Sequence, residues 1–246
     1  MKFVRDRRRW RHWLFQARKR FDLCVLDYID TSNHVHLLVK DRGRGEIAKS
    51  MQLIASRTGP EYNQRKKRRG AFWEDRYHAT AIDRDDYLAR CMDYIDLNMV
   101  RAGAVSHPAQ WEISGYREIQ RPPARYRIID TDELQRLLEL DGLEALQQTL
   151  AGWVDDTLRG RALKPDPVWS QSVAVGSPEF LESFQQSTSD ARHREIDREN
   201  GKWSLREMPS GYSADSEGEM GHLLIQSEVL VRGENRLVWD YSIVNS

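Results

Sequence analysis

The fold is decided by the segment LCVLDYIDTSNHVHLLVK, residues 23–40. Residues 23–29 form an apolar, partly alternating run, and residues 34–40 form a second one, as is typical of β-strands. The sequence DTSN at residues 30–33 lies between them, and short polar side chains of this kind favour a turn. The segment therefore predicts an antiparallel β-hairpin.

Helices are predicted on both sides of this hairpin. Residues 5–21 carry apolar side chains at helical spacing, with arginine and lysine at the other positions, which is the pattern of an amphipathic helix. A second helix is predicted from about Glu46. Gly59-Pro60 is expected to stop or kink it, because proline lacks the N–H that a helix needs.

A third strand and a third helix are predicted next. Residues 71–82, AFWEDRYHATAI, resemble a strand. The aspartates within residues 83–86 can cap a helix that should end before Gly103. Residues 108–125 contain proline and arginine and are expected to lead out of the domain. We therefore place an α+β domain with an antiparallel sheet at residues 1–122.

The second half of the chain has a different character. Residues 131–158 carry a stripe of leucines that predicts helices, and residues 168–184 combine a short strand with a helix. Residues 185–221 are rich in serine, glycine and charge and are expected to be flexible in part. Residues 222–246 alternate like a hairpin. We expect residues 123–246 to form a mixed α/β accessory region, and no motif in it indicates a function.

Composition restricts the class of protein. No stretch of the sequence approaches the ~18 uninterrupted apolar residues of a membrane span, and no secretory signal follows the basic start. The two cysteines, Cys24 and Cys91, are too few for a disulfide framework and fit a reducing compartment. We expect a cytoplasmic protein without a membrane partner.

The net charge of zero conceals an asymmetry. Residues 1–125 contain 26 Lys and Arg against 16 Asp and Glu, whereas the remainder contains 12 against 22. A basic half can follow a phosphate backbone. An uneven but ordinary solvated surface is the alternative interpretation.

The pair His34-Val35-His36 is the first feature that can carry chemistry. On a strand, residues i and i+2 point to the same face, so both imidazoles can reach one metal ion. Such a pair also occurs as ordinary surface or core histidines.

The second feature is Tyr94-Ile95-Asp96-Leu97-Asn98. On a helix, residues i and i+4 share a face, so the phenol of Tyr94 and the amide of Asn98 would project together. The phenol is a possible nucleophile and the amide oxygen a possible metal ligand. A tyrosine at helical spacing is also common in core packing.

Together the two features indicate a phosphoryl-transfer site. Two imidazoles and an amide oxygen leave open positions on a divalent cation, which would polarise a phosphodiester. Tyr94 would then attack and form a covalent phosphotyrosine, which conserves the bond for rejoining. A free phenol has a pKa of about 10, so a nearby cation would favour the phenolate. Mg²⁺ or Mn²⁺ suits these ligands, and zinc is an alternative.

Three segments carry a resemblance to a known family. They are YIDTSNHVHLLVK, GAFWEDRYHATAI and YLARCMDYIDLNMVRAGAV, which together lie within residues 5–120. The first resembles the motif of the HUH nucleases, in which two histidines flank one hydrophobic residue. The ordered set resembles the single-tyrosine transposases, and more narrowly the insertion-sequence-200-like group and its REP-associated relatives.

The resemblance implies a fold, a site and a substrate. The fold would be a ferredoxin-like αβ sandwich, with His34, His36 and Asn98 as metal ligands and Tyr94 as the nucleophile. The reaction would be metal-dependent cleavage and rejoining of single-stranded or hairpin DNA in transposition, through a 5′-phosphotyrosine. Members of the family commonly act as dimers, so a homodimer is possible.

The chain departs from the family pattern at several places. Relatives usually begin with one more strand before the first helix, and this sequence starts without it. We expect the missing strand to expose a sheet edge. Met99 stands where proline is usual, and Gly59-Pro60 interrupts a helix that is usually continuous. A misassigned start codon and a decaying gene copy are both compatible with the missing strand.

Candidate DNA contacts lie outside the four site residues. The basic run comprises Arg65, Lys66, Lys67, Arg68 and Arg69, and it can hold phosphates or be a solvated loop. Trp73, Arg76 and Tyr77 can stack on unpaired bases, or the two aromatic side chains can belong to the core. The resemblance adds Arg101, which follows Asn98 in the third segment.

Two other functions remain open. One is a decayed or domesticated relative that binds DNA hairpins without cutting them, as the missing strand suggests. The other is a metal-free module that binds RNA or a protein partner, for which the basic patches are the only support.

Overall fold

The computed structural model describes residues 3–73, 78–160, 163–164, 166–188, 194–199, 201–207 and 236–242. Within these ranges the strands form one seven-stranded sheet. None of the helices in the described ranges combines the length and the apolarity needed to cross a membrane.

The predicted hairpin at the centre of the chain's first half is confirmed. β1 (Cys24–Asp30) pairs antiparallel with β2 (His34–Lys40). Thr31 closes the turn, since its Oγ1 donates to the carbonyl of His34 at 2.8 Å and accepts from the His34 N–H at 2.9 Å. Both strands are almost completely buried, so the hairpin lies inside the core.

α1 (Val4–Phe21) is the amphipathic helix predicted at residues 5–21. Its apolar stripe includes Trp10, Leu14 and Ala17, all of which are buried. This stripe packs on β1 and on the next helix. The basic side chains at the other positions are exposed or partly buried, as expected for the polar face of an amphipathic helix.

α2 (Glu46–Lys66) runs through Gly59-Pro60, so the prediction that this dipeptide stops the helix is wrong, and a kink there stays a prediction. The Oγ1 of Thr58 donates to the carbonyl of Ile54 at 2.8 Å within this turn. A side chain on Gly59 would meet Phe72 at 3.3 Å, so the glycine allows this close approach. Packing against α1 and Phe72 thus outweighs the local cost of proline.

β3 (His78–Ile82) confirms only the last part of the strand predicted at residues 71–82. The prediction is wrong for Phe72, whose ring packs on Tyr62 of α2 with centroids 4.6 Å apart. Residues 74–77 lie outside the described residues.

The third helix is divided in two. α3 (Asp86–Asp96) is followed by the single residue Leu97 and then by α4 (Asn98–Arg101). Leu97 is fully buried and packs with Tyr116 and Val154 in a small separate cluster. The prediction of one continuous helix is therefore wrong at Leu97.

Residues 108–125 are more than an exit segment, which corrects that prediction. They contain a short 3₁₀ helix (Pro108–Gln110) and α5 (Gly115–Gln120). Ser114 bridges to Ile29 at the outer edge of β1. Glu118 of α5 accepts a hydrogen bond from the Tyr28 hydroxyl at 2.8 Å. The segment therefore covers the edge of the hairpin.

The rest of the chain continues the same sheet. The leucine stripe at residues 131–158 forms two helices, and short helices and strands follow as predicted near residues 168–184. The elements are α6 (Thr131–Leu137), α7 (Gly142–Gly160), α8 (Val168–Gln171), β4 (Ala174–Val175), α9 (Pro178–Ser187), β5 (Arg194–Glu199), β6 (Lys202–Glu207) and β7 (Arg236–Ser242).

β7 lies in the middle of the sheet. The strand order is β1-β2-β7-β3-β4-β6-β5, and β7 is antiparallel to both β2 and β3. In the register, Asp240 lies opposite His36 on β2 and opposite His78 on β3. The expected exposed edge is therefore wrong for β2, because β7 pairs with it.

The α+β class is confirmed, since helices pack on an antiparallel and partly mixed sheet. The ferredoxin-like arrangement stays a prediction. The sheet contains strands from both sides of the predicted boundary between residues 122 and 123.

Candidate active site

β2 presents His36 and Leu37 to opposite faces of the sheet. Leu37 lies opposite Tyr28 on β1, and the Tyr28 ring packs on Trp10 of α1 with centroids 5.9 Å apart. Because neighbouring residues on a strand alternate between faces, His36 points away from α1. It thus lies on the other face of the sheet, where α3 packs.

His36 contacts both Tyr94 and Asn98. Its ring lies edge-on to the Tyr94 ring, with centroids 6.0 Å apart and an interplanar angle of 77°. The side-chain amide nitrogen of Asn98 lies 3.0 Å from His36 Nε2. His36 is only 4% exposed, so these contacts hold its ring in a fixed orientation. Three of the four residues that the sequence singled out therefore meet at one point.

His34 lies on the same strand face as His36 but makes a different contact. Its Nε2 lies 3.2 Å from the side-chain nitrogen of Asn33, at the turn. Two residues along a strand correspond to about 7 Å. His34 therefore stands at the rim of the group, half-buried, while His36 stands at its centre.

The break at Leu97 shapes the site. The Leu97 backbone has φ −83° and ψ 3°, and α3 ends just before it at Asp96 while α4 starts just after it at Asn98. Burial of the Leu97 side chain on α5 and α7 anchors this short break. Asn98 thus approaches His36 from the beginning of α4, one turn after Tyr94.

Arg101 fixes the other side of the Tyr94 ring. Its guanidinium carbon lies 4.1 Å from the ring centroid, and the guanidinium also donates to the Tyr94 carbonyl. Such a stacked cation is attracted by the π-face of the ring. The phenol is thereby held between Arg101 and His36.

A cleft of about 610 Å³ opens beside Tyr94. Its walls come from α3, α7, α8 and β6, so residues on both sides of position 122 form it. Trp169 of α8 lies on the Tyr94 ring with centroids 6.3 Å apart and an angle of 36°. Thr157 of α7 donates to the Asp93 carboxylate at 2.9 Å. Sequence analysis missed these residues, and no local signal connects them to Tyr94.

The carboxyl group of Asp96, two residues after Tyr94, is buried. Asp96 is 2% exposed and lies near Asp27 of β1, which is fully buried. Burial raises the pKa of both carboxyl groups well above the ordinary value, and the charge of Asp27 raises the pKa of Asp96 further. One oxygen of each carboxyl has no hydrogen-bond partner among the described residues.

Replacing Asp96 with asparagine is expected to stabilise the protein at neutral pH. Because the pKa of Asp96 is raised in the folded state, ionisation lowers stability as the pH rises above the ordinary aspartate value of about 3.9. Asparagine cannot ionise and still accepts the Tyr116 N–H. We expect a melting temperature about 3 °C higher at pH 7, corresponding to ~1 kcal/mol, and no difference near pH 4.

Thermal unfolding followed by circular dichroism at several pH values measures this difference. The exposed Glu182 on α9 provides the control Glu182→Gln, which should leave the pH profile unchanged. An Asp96→Asn variant whose stability falls with pH as steeply as that of the wild type would contradict the prediction.

The predicted basic loop begins within α2. Arg65 and Lys66 belong to its last turn, so the loop prediction is wrong for both. Arg65 pairs with Asp6 at 2.5 Å, and the Lys66 ammonium lies 3.9 Å from the centroid of the Phe3 ring. These contacts tie the two side chains to α1, on the side of the sheet away from Tyr94.

The other predicted DNA contacts differ in their exposure to solvent. Lys67 and Arg69 are exposed, and Arg68 is partly exposed. Trp73 is half-buried against Phe72, with centroids 4.9 Å apart. Arg76 and Tyr77 lie outside the described residues. Of the predicted DNA-binding residues that the structure describes, Arg101 is the one that lies against Tyr94.

No group of three or more His, Cys, Asp or Glu side chains is assembled as a cation site in the described ranges. The predicted ligand set is different, since it combines imidazoles with the amide of Asn98. Metal binding there stays a prediction.

Comparison with known proteins agrees with the site geometry. The model of the family described as "Transposase IS200 like" matches residues 4–98. The match includes His34, His36 and Tyr94 and ends at Asn98. Neither curated proteins nor solved structures gave a match. Residues 4–98, less than half of the chain, are thus similar to the IS200-like transposase family.

Proposed function

We propose that this protein is a transposase that cleaves and rejoins single-stranded or hairpin DNA by forming a covalent 5′-phosphotyrosine at Tyr94. The observation that carries the proposal is the contact of one buried imidazole, His36, with both Tyr94 and Asn98. A phenol used only for core packing would not need a histidine and an amide at its edge.

His34, His36 and Asn98 would hold the divalent cation, Mg²⁺ or Mn²⁺. The Nε2 of His36 points at the Asn98 amide, so its lone pair is directed into the site. Rotating that amide by 180° exchanges its nitrogen for its oxygen, which is the atom a hard cation prefers. The donor set therefore fits. A bound cation would polarise and orient a DNA phosphate.

The chemical step needs no additional reactant. The Tyr94 hydroxyl loses its proton and its oxygen forms a bond to phosphorus, while the bond from phosphorus to the 3′ oxygen of the DNA breaks. That 3′ oxygen leaves and takes up a proton. The reverse attack by a 3′ hydroxyl restores the phosphodiester, because one ester bond is exchanged for another at each step.

The residues around Tyr94 support this step. Arg101 stacks on the Tyr94 ring, and its fixed positive charge favours the phenolate over the neutral phenol. His36 and Arg101 restrict the ring from two sides, so the oxygen is oriented before DNA binds. Such prior orientation lowers the entropic cost of the attack.

The test is a covalent adduct between protein and DNA. The full chain is incubated with 5′-labelled and 3′-labelled hairpin DNA in Mn²⁺, in Mg²⁺ and in EDTA, and then denatured. We expect a shifted band with 3′-labelled DNA in either metal and none in EDTA. Peptide mapping should identify the modified residue as Tyr94. An adduct on another residue, or one that persists in EDTA, would overturn the proposal.

Removing the central imidazole should impair the reaction without impairing DNA binding. In the variant His36→Ala we expect adduct formation to fall by at least about 100-fold, as for loss of a group that acts in the chemical step. His78→Ala removes a half-buried histidine on β3, outside the predicted ligand set, and should retain activity. Binding of DNA without an adduct in the wild type would favour a non-cleaving hairpin-binding protein instead.

The elution volume of the full chain in size-exclusion chromatography would test for a homodimer.

A further inference from the structure

We infer that the cleft beside Tyr94 binds one unpaired nucleotide of the DNA strand, next to the phosphate that is cleaved. The accessory region would supply half of this nucleotide site. The inference rests on the proposed function, since it assumes that Tyr94 faces DNA. A cleft of about 610 Å³ lies within the size range of small-ligand sites, roughly 300–1,000 Å³.

Two tryptophans of the accessory region give the cleft its aromatic character. Trp153 of α7 lines it and is half-buried, so part of its ring is accessible. Trp169 of α8 also lines the cleft. Its side chain is buried and packs against the Tyr94 ring. A base can stack on such a ring only when its face is free, which requires an unpaired or flipped nucleotide. The cleft therefore favours a single strand over a duplex.

Two cations at the cleft are available for phosphates. Arg90 lies on α3 one turn before Tyr94, and Lys164 lines the cleft from the segment that follows α7. Both side chains are exposed, and neither forms an ion pair with any residue that the structure describes. Arg90 and Tyr94 share one face of the helix because they are four residues apart. A phosphate held by Arg90 would thus lie next to the phenol.

Three of the four carboxylates of the cleft have partners other than Arg90 and Lys164, and the fourth, Asp86, forms no ion pair within the described ranges. Asp166 binds the ammonium of Lys202, and Asp93 accepts the hydrogen bond from Thr157. Asp156 pairs with Arg159 at 3.1 Å. Asp86 lies in the first turn of α3, where the helix dipole favours a negative charge. Arg90 and Lys164 thus remain for the ligand.

The test measures binding without cleavage. A fluorescein-labelled oligothymidine strand is titrated with the full chain in EDTA, and its anisotropy gives the Kd. We expect Trp153→Ala to raise the Kd about 5- to 100-fold, the range for losing one stacked base. Trp153→Phe keeps an aromatic face and should raise it less than about threefold. Trp203→Ala removes another half-buried tryptophan, on β6 outside the cleft lining, and should leave the Kd unchanged.

The charges are tested separately with surface variants that cannot disturb the core. The double variant Arg90→Gln/Lys164→Gln should weaken binding and lower the slope of log Kd against log salt by about 1.4, since each phosphate contact on a single strand contributes about 0.7. Arg121→Gln, an exposed arginine outside the cleft lining, is the matched control and should change neither quantity.

Three results would overturn the inference. The first would be that Trp153→Ala, shown by circular dichroism to be folded, binds oligothymidine as tightly as the wild type. The second would be that Trp203→Ala loses as much affinity as Trp153→Ala. The third would be that Trp153→Ala weakens binding of blunt duplex DNA as much as binding of the single strand, because stacking on an unpaired base would then not be involved.

The nucleotide site and the chemistry at Tyr94 can fail independently. If the wild type forms no adduct but Trp153→Ala loses affinity for oligothymidine, the cleft binds a nucleotide and the cleavage proposal is wrong. If the wild type and Trp153→Ala form the adduct equally and bind equally, the cleavage proposal stands and the nucleotide site is wrong.

Discussion

Replacing Tyr94 with phenylalanine is expected to abolish the covalent adduct while leaving the protein folded and able to bind DNA. The variant removes a single oxygen, which is the atom that would bond to phosphorus. The ring stays, so its stacking on Arg101 and Trp169 and its edge contact with His36 stay as well. We expect adduct formation to fall by at least about 1,000-fold, as for loss of a nucleophile.

The matched control is Tyr87→Phe. Tyr87 is a half-buried tyrosine on the same helix, two turns before Tyr94, and it lies outside the candidate site. This variant should form the adduct at the wild-type rate. The Kd for oligothymidine in EDTA should change less than about threefold in Tyr94→Phe, a difference of ~0.6 kcal/mol. Adduct formation that survives in Tyr94→Phe would show that another residue is the nucleophile.

Removing β7 is expected to unfold the sheet that carries His36. A chain that ends at Asn235 lacks the strand that pairs with β2 over residues 34–40 and with β3 over residues 78–82. Each buried backbone group left without a partner costs about 1–3 kcal/mol. Several such groups exceed the total stability of a typical domain, about 5–15 kcal/mol. We therefore expect loss of the cooperative thermal transition.

A chain that ends at Ser242 keeps β7 and serves as the control. It should unfold at the temperature of the full chain, as measured by circular dichroism or calorimetry. A synthetic peptide of residues 236–242, added to the shorter chain, should restore part of the transition, because the pairing sites on β2 and β3 remain. If the chain ending at Asn235 melts like the full chain, β7 is dispensable for the sheet and this view of the core is wrong.

Elements whose cause is local could be predicted from the sequence. The hairpin of β1 and β2 needs two apolar runs and the polar turn between them, and both strands were placed within one residue. α1 likewise follows from one amphipathic stripe. Pro60 shows where a local rule fails, because α2 continues through it against Phe72 and α1. The cost of proline was local, whereas the compensating packing came from residues remote in the chain.

The candidate site likewise contains residues that local patterns predict and residues that only tertiary packing brings in. His36, Tyr94 and Asn98 could be selected because strand and helix periodicities place their side chains on defined faces. The interruption at Leu97 could not, since it depends on burial against Tyr116 and Val154. Trp153, Trp169 and Lys202 carry no pattern that relates them to Tyr94. Their position follows from tertiary packing alone, as does the insertion of β7 between β2 and β3.

The position of β7 has a consequence for synthesis of the protein. Domains begin to fold while the ribosome is still extending the chain, and β3 ends at Ile82 whereas β7 begins at Arg236. β2, which carries His36, therefore lacks its partner strand β7 until most of the chain has been translated. A ribosome that stalls or shifts frame before Arg236 would release a polypeptide with His34, His36, Tyr94 and Asn98 but without the strand that completes the sheet. Under the proposed function, such unfinished copies would not cleave DNA.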